Sequence, residues 1–532
     1  MKSFKITFLP SGLEYQAKEG STVLQAMIDA GLTPDAPCGG KGICGKCRVS
    51  VVSGEPHGSV LACQTHIHGE MLVDTLQKEK NQRILDNGCV RSVAVNPYPT
   101  AAHKPGLPHW TVGVDIGTTT IVGYLMCDGV QIAAKSMMNP QIKYGADVIS
   151  RANYVLENGD EGQTALSEAV RKALNTIVCQ VSEQAGISAR LIEIVAIVGN
   201  TCMHHLFMGL LPDTLVHAPY VPRMSEACVL DPSDYGIAIN PDGKLLWFPN
   251  IAGFVGGDTV GCLVASDFDK IEKMTLMIDI GTNGELVLGN RERRISCSTA
   301  AGPAFEGAKI TCGMRGASGA IDHFKFDGDA PVLSTIDAQK PQGICGSGLM
   351  DIIASLVETG FIDGGGRLLE CGELTTLTAR KNAFRLEKID GMPSFVLAFE
   401  NETGTDKRVY LTQRDIREVQ LAKAAIAAGI KLLADELDIE LEDIESVLIA
   451  GAFGNYMNPH SACAIGLIPR ELEQKIHPIG NAAGEGAKLA AISAEEFEHA
   501  KRLAKTTGFL ELASKPQFQD CFVDELEFFS EE

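Results

Sequence analysis

The chain has 532 residues, with 46 Lys and Arg against 67 Asp and Glu, a formal net charge of −21, and 45% hydrophobic and 21% charged residues. A chain this long exceeds a single hydrophobic core and is expected to divide into about three domains. Its acidity excludes a nucleic-acid backbone as partner, because no basic excess exists to displace counterions. The stretch after Met1 lacks the apolar core of a secretory signal, and no uncharged apolar run reaches the length of a membrane span. Sixteen cysteines are too sparse for a disulfide scaffold, so a reducing cytoplasm is the expected compartment.

Lys2–Leu9 and Leu13–Ala17 read as two short strands around Pro10-Ser11-Gly12. Thr22–Ala30 reads as a short helix capped by Ser21 or Thr22 and closed by Gly31. Then come Pro37-Cys38-Gly39-Gly40-Lys41-Gly42-Ile43-Cys44-Gly45-Lys46-Cys47, a strand Arg48–Val52, and Cys63. The four cysteines are separated by five, two and fifteen residues. This describes a loop folded round a cluster, with a fourth ligand from across the domain. Thiolates hold iron–sulfur clusters, and glycines let backbone amides turn towards the sulfurs. Zinc would favour two separated Cys-x-x-Cys pairs, and only one is present. The five-residue spacing and the strand, strand, helix, loop order resemble adrenodoxin-like [2Fe–2S] ferredoxins. The resemblance implies an α+β, β-grasp domain over residues 1–77 with Cys38, Cys44, Cys47 and Cys63 as ligands. Gly40-x-Gly42-x-x-Gly45 also matches a dinucleotide fingerprint, and Gly40 to Lys46 most of a Walker A loop. Neither follows a buried parallel strand, and Cys47 stands where Walker A needs Ser or Thr.

From Lys78 to His109 the pattern dissolves. Pro97, Pro99, Pro105 and Pro108 space out short polar stretches, as in a semi-rigid tether, and Lys78–Asp86 alternatively reads as a short helix. A domain that carries electrons between a donor and an acceptor needs such a tether.

The remainder is organised around a repeat. Val114-Asp115-Ile116-Gly117-Thr118-Thr119-Thr120 returns 164 residues later as Ile278-Asp279-Ile280-Gly281-Thr282-Asn283-Gly284-Glu285. In each copy an apolar run (Trp110 to Val114, Met274 to Ile278) reads as a buried strand entering a Gly-Thr turn. A carboxylate at the end of such a strand, beside glycine amides and hydroxyls, suits a Mg²⁺-bound phosphate chain. Helical patterns (Gln163–Ala185, Gln413–Leu437) follow, then strands (Ile192–Val198, Val447–Ile449) ending in Gly199-Asn200 and in Gly451-Ala452-Phe453-Gly454-Asn455. From the Asp to the glycine after the last strand is 84 residues in the first half and 172 in the second, so the second carries an insertion. That stretch holds the small-residue runs Cys297-Ser298-Thr299-Ala300-Ala301-Gly302-Pro303-Ala304-Phe305-Glu306-Gly307 and Gly343-Ile344-Cys345-Gly346-Ser347-Gly348. Such runs permit close backbone approach, to a ligand or between packed elements. Cys297, Cys312 and Cys345 match no cluster spacing and are read as structural cysteines.

Two facing Asp-Gly-Thr turns and a Gly-rich loop after the final strand resemble the superfamily of acetate and sugar kinases, heat-shock chaperones and actin. The likeness implies a duplicated α/β ATPase fold with halves at 110–273 and 274–532, joined to the ferredoxin by a linker at 78–109. By position, Asp115, Gly117, Thr118 and Thr119 form its first phosphate loop, and Asp279, Gly281, Thr282 and Asn283 the second. Gly451 and Gly454 border the adenosine of ATP, and Asp115 and Asp279 serve as catalytic acids binding Mg²⁺, largely through water. Gly480-Asn481-Ala482-Ala483-Gly484-Glu485-Gly486 opens a helix resembling the second connector between halves.

The two parts together resemble the reductive activators of corrinoid proteins. Asn139-Pro140-Gln141, Tyr144 to Arg151, Gly199-Asn200-Thr201 with His204-His205, and Gly253 to Asp258 match as well. The resemblance implies an ATP-hydrolysing one-electron reductase that returns a corrinoid protein from Co(II) to Co(I), in support of methyl transfer or O-demethylation. It also implies an external low-potential electron donor; from the residues no membrane partner is expected, and a homodimer is one expected assembly. Two alternatives stand beside it: an ATP-driven electron donor to another low-potential enzyme such as a radical dehydratase, and a small-molecule kinase with a redox-sensing ferredoxin domain. Glu306 and Asp258 are expected either to help position the attacking water or to serve the structure. His204 and His205 are expected in the core, and Lys423 in solvent.

Overall fold

The computed structural model describes residues 2–32, 34, 36, 40, 42, 47–75 and 91–528. In the N-terminal part, β1 (Ser3–Leu9), β2 (Leu13–Lys18), α1 (Val23–Asp29), β3 (Arg48–Ser53), β4 (Gly58–Leu61) and β5 (Met71–Asp74) form a sheet of order β2-β1-β5-β3-β4. Strand β5 lies parallel to β1 at its centre. Thr22 caps α1 by accepting from the Gln25 amide at 3.1 Å. The helix buries Val23, Leu24, Ala26 and Met27 over Ile6, Phe8, Val49, Val51 and Val73. This is the β-grasp arrangement expected from the sequence.

The proline-bearing segment from Arg91 onward is docked on the body rather than spanning a gap. Asn96 inserts between Ile492 and Ala494, its amide donating to the Ile492 carbonyl and its carbonyl accepting from the Ala494 amide, both at 2.8 Å. Tyr98 meets Phe497 edge-on, and Val93 joins the same apolar cluster. The Arg91 guanidinium is held by Asp267 at 2.7 Å and by Glu496. Thr100 donates to the Asp242 carbonyl at 2.7 Å. Short polar stretches hid these anchors, because each apolar residue in them stands alone. The helix expected at Lys78–Asp86 lies outside the described residues.

The first half begins with the antiparallel meander β6 (Trp110–Ile116), β7 (Thr120–Cys127) and β8 (Val130–Met138), followed by α2 (Val148–Ala185) and β9 (Ile192–Gly199). Then come α3 (Thr201–Met208), β10 (Cys228–Leu230), β11 (Lys244–Trp247) and α4 (Gly257–Ala265), giving the sheet order β10-β11-β9-β6-β7-β8. The second half repeats the meander as β12 (Thr275–Ile280), β13 (Gly284–Gly289) and β14 (Arg294–Thr299). An insertion follows: β15 (Ala320–Asp327), β16 (Ala330–Thr335), β17 (Gly343–Ile344), α5 (Gly346–Glu358), α6 (Leu377–Lys381), β18 (Leu386–Ile389), β19 (Met392–Ala398) and β20 (Val409–Thr412). The chain returns through α7 (Gln413–Leu437), β21 (Ser446–Ala450), α8 (Gly451–Gly454), α9 (Pro459–Ala464) and β22 (Ile476–Gly480). It ends with α10 (Ala482–Ile492), α11 (Ala494–Thr506), β23 (Gly508–Phe509) and α12 (Gln517–Asp524). The second large sheet has the order β22-β21-β12-β13-β14-β23. In both, a meander flanks one side of the first strand and parallel strands the other, β9 and β11 in one half, β21 and β22 in the other.

The structure corrects three expectations. Each half contains a third meander strand, β8 or β14, and β14 takes up the Cys-Ser-Thr start of the small-residue run, which the sequence does not mark as a strand: small polar residues mask its alternation, while Cys297 pairs with Leu286 and is fully buried. Helix α2 starts fifteen residues earlier than read. The Asn-Gly-Asp sequence at 158–160 resembles a turn, but the chain only kinks at Gly159 (φ 58°), and a capping box of Asp147 and Ser150 starts the helix. Lys423 is buried rather than solvated. Its Nζ donates to the Glu527 carbonyl, and burial pulls its pKa down to about 8. With Gln420, which donates to the Leu526 carbonyl at 2.8 Å, it holds residues 525–528 against α7.

Between the two large sheets lies a shared core in which α4 and α10 cross. The crossing is glycine on glycine: a Cβ on Gly486 would stand 2.1 Å from the Gly261 carbonyl oxygen. A Cβ on Gly113 would stand 2.7 Å from the Lys488 amide, so α10 also rests directly on β6. No helix among the described residues is long and apolar enough to cross a membrane.

Candidate functional site

The cleft is built from equivalent turns at the ends of β6 and β12. In the first, the Gly117 amide donates to the Thr120 carbonyl at 2.9 Å, and a Cβ on Gly117 would press on that same oxygen. In the second, the Gly281 amide donates to the Asn283 carbonyl at 2.9 Å. The first turn is braced from beneath. The Asn139 side-chain amide donates to the Gly117 carbonyl and that of Asn200 to the Thr118 hydroxyl, each at 2.9 Å. The buried Arg151 guanidinium donates to the carbonyls of Thr118 and of Gly145, the latter at 2.9 Å. Desolvation lowers the Arg151 pKa to about 10, so it stays cationic at neutral pH. The sequence stretches around Asn139, Tyr144–Arg151 and Gly199–Thr201 thus converge on one loop.

Four carboxylates line this cleft: Asp115, Asp279, Asp258 in the first turn of α4, and Glu285 on β13. Each is surrounded by protein while keeping some surface open to solvent. Burial, then repulsion from Asp258 and Asp279, pushes Asp115 up to about 7, and the Asn481 side chain offsets part of this. Burial and Asp279 push Asp258 to about 7. Burial brings Asp279 to about 6, although the Cys262 thiol donates to it at 3.8 Å. Glu285 is raised by burial and by the same two aspartates. No Lys or Arg among the described residues pairs with any of the four. Such a set fits a divalent cation, which would relieve the repulsion it now carries. Gly451 (φ 89°) lies against it, since a Cβ there would stand 2.9 Å from Asp279 Oδ1. Gly454 instead packs back on Ile449 of β21.

The acid cluster has a measurable signature. An acid whose pKa rises on folding destabilises the fold as pH climbs from its unfolded value, near 4, through its folded one. Asp258→Asn should therefore stabilise the metal-free protein by roughly 1–2 kcal/mol above pH 7 and not at all below about pH 4. Urea unfolding at pH 4 and pH 8 checks this; equal effects at both would remove repulsion as the cause.

In the ferredoxin part, pairing of Arg48 with Leu61 and of the Ala62 amide with the Cys47 carbonyl (2.8 Å) brings Cys63 beside Cys47. A Cβ on Gly40 (φ 84°) would lie 3.8 Å from Cys63 Cβ, and one on Gly42 2.5 Å from the Gln64 side chain, so the loop folds over Cys63. Two sulfurs under a glycine-rich loop fit a cluster. Cys38 and Cys44 lie outside the described residues.

Other polar clusters have different explanations. His103 and His109 donate their Nδ1 hydrogens to Glu193 at 3.0 and 2.9 Å, with rings stacked at 3.8 Å and 14°. One cation cannot lie in the planes of two stacked imidazoles, so this is a hydrogen-bonded clasp for the linker. Asp267, Asp269 and His499 are engaged with Arg91, Lys270 and Glu496 around the same linker. His204 is buried against Trp247, takes a 2.8 Å hydrogen bond from Asn250 and is driven down to about 3 by desolvation, which makes it a neutral core residue, as expected.

Known proteins resemble the chain over its whole length. Residues 6–68 match the family model of the 2Fe-2S iron-sulfur cluster binding domain, 110–271 that of the RACo middle region, and 273–532 that of the C-terminal, ASKHA domain of RACo. Corrinoid activation enzyme RamQ of Eubacterium limosum is 33% identical over 577 aligned positions, covering 96% of each chain. The [Co(II) methylated amine-specific corrinoid protein] reductase of Methanosarcina barkeri is 25% identical over 53% of this chain and 51% of its own. A solved reductive activator for corrinoid, iron-sulfur protein is 29% identical with a TM-score of 0.74, covering 99% of this chain and 98% of its own.

Proposed function

Because the chain belongs to the family of reductive activators of corrinoid proteins, we propose that it is the ATP-dependent enzyme that reduces the Co(II) of a partner corrinoid protein to Co(I), in support of methyl transfer or O-demethylation. One observation carries the reading: a single polypeptide joins a cysteine-bearing ferredoxin fold to a cleft with two opposed Asp-Gly-Thr turns and four uncompensated carboxylates. Cys38, Cys44, Cys47 and Cys63 hold the [2Fe–2S] cluster within residues 1–77, and an external low-potential donor supplies its electron. The cluster, when bound, supplies one-electron chemistry.

Asp115 and Asp279 hold Mg²⁺, largely through water. Thr118 and Thr119 beside Gly117, and Thr282 and Asn283 beside Gly281, take the phosphates of ATP, with Gly451 and Gly454 towards the adenosine. The halves at 110–273 and 274–532 move about the glycine crossing of α4 and α10. For one electron, 30 mV is about 0.7 kcal/mol, so a deficit of about 300 mV is about 7 kcal/mol. Nucleotide binding offsets such a deficit only by favouring one of two states of the complex with the corrinoid protein.

The test mixes reduced protein with a Co(II) corrinoid protein, with and without Mg-ATP, and follows the Co(I) absorbance. Co(I) is expected at least about tenfold faster with Mg-ATP, equivalent to about 1.4 kcal/mol off the activation barrier. Equal rates without nucleotide would refute ATP dependence.

A further inference from the structure

The two turns are joined by the carboxylate of Glu306. Glu306 lies on the segment between β14 and β15, between the buried Phe305 and Gly307. Its Oε2 accepts from the Thr119 hydroxyl of the first half at 3.1 Å, and its Oε1 from the Thr282 hydroxyl of the second at 2.7 Å. The segment carrying it is folded firmly. The Gly307 amide donates to the Ala304 carbonyl at 2.9 Å, and a Cβ on Gly307 (φ 73°) would stand 2.9 Å from the backbone of Met314. The nearby Arg151 guanidinium, on which Glu306 acts, donates instead to the Thr118 and Gly145 carbonyls.

A carboxylate presents two anionic oxygens, as a phosphate does, and here one oxygen takes a hydroxyl from the first half and the other a hydroxyl from the second. Those hydroxyls are the donors the turns would offer to a nucleotide. One hydroxyl hydrogen cannot serve both acceptors, and two anions at one spot repel. We propose that Glu306 is a built-in competitor for the nucleotide phosphates: it latches Thr119 to Thr282 across the cleft while no nucleotide is bound and must let go when ATP enters. The latch rests on the reading of the cleft as a nucleotide site. It makes closure of the two halves available without ATP, so binding exchanges one bridge for another rather than creating the only one.

If the latched form holds about nine-tenths of the nucleotide-free protein, the apparent Kd is raised about tenfold over the intrinsic one. Full-length Glu306→Ala should therefore bind Mg-ATP about tenfold more tightly than the unmodified protein, with Glu306→Gln in between, because the neutral amide keeps one acceptor without the charge. A merely structural role predicts the reverse, since a damaged cleft binds more weakly. Without nucleotide, amide hydrogen exchange at residues 117–120 and 281–284 should rise in Glu306→Ala. Unchanged or weaker Mg-ATP binding in both variants, with normal binding by the unmodified protein, overturns the competition, and unchanged exchange overturns the latch. If the unmodified protein itself fails to bind Mg-ATP, the nucleotide reading falls and the competition with it.

Discussion

Replacing Cys47 with serine should lower the rate of Co(I) formation at least about 100-fold while leaving Mg-ATP binding within about twofold. Cys47 is only 3% exposed, at the entrance to β3, and its carbonyl accepts from the Ala62 amide beside Cys63. A serine oxygen there is a poor ligand for iron, and it leaves a buried hydroxyl whose desolvation costs about 1–3 kcal/mol if no partner is found. To separate loss of the cluster from loss of the fold, Cys63→Ser is made in parallel, since Cys63 is less buried. Both variants should lose the iron and the visible absorbance of the cluster, and circular dichroism of the Cys63 variant should keep the fold. Two irons per chain retained in both variants would show that these cysteines are not the ligands.

The second large effect is expected at Asp279. Its carboxylate stands at the end of β12 beside Gly451, and it is the aspartate whose repulsion acts on Asp115, Asp258 and Glu285 alike. Asp279→Ala should weaken Mg-ATP binding on the order of 100-fold, the scale seen when a group orienting a metal is lost. The same change removes a source of repulsion, so the metal-free protein should melt at a slightly higher temperature at pH 8 than the unmodified protein. Opposite directions for binding and stability are what a charge held for a cation predicts. A core defect would lower both. Calorimetric titration with Mg-ATP and thermal unfolding in EDTA measure the two quantities. Normal Mg-ATP affinity in the variant would remove Asp279 from the site.

Most of the architecture was legible because it rests on short-range signals repeated twice. The strand, Asp-Gly-Thr turn and strand recur in both halves, and Thr22 and Thr412 cap their helices where the sequence places the starts. What was missed depends on contacts distant in sequence. The docking of Asn96 on Ser493 and the burial of Lys423 under the Glu527 carbonyl involve partners about 400 and 100 residues away, and no local pattern announces either. The site divides in the same way. Asp115 and Asp279 stand out as repeats, whereas Glu285 becomes part of the acid cluster only because β13 pairs Glu285 with Asp279. Glu306 drew notice as an acid among small residues, but its bridging of the two turns is a fact of three dimensions. Signals for the brace under the first turn were present in Asn139-Pro140-Gln141 and Arg151, though nothing in their spacing shows that they hold the carbonyls of Gly117 and Thr118.

The docking of residues 91–109 fixes a length scale for electron delivery. Arg91 is bolted to Asp267 and Glu496, so the last strand of the ferredoxin, which ends at Asp74, is connected to that fixed point by only the residues between them. At about 3.3–3.6 Å per residue the covalent limit on that span is about 60 Å. Whatever the orientation of the ferredoxin, its root cannot leave a sphere of that radius centred on Arg91, so on the proposed function a corrinoid protein would have to present its cobalt within or close to that sphere. Lengthening the stretch before Arg91 enlarges the sphere, whereas loosening Arg91 shifts its centre, and the two changes sample different distances between donor and acceptor.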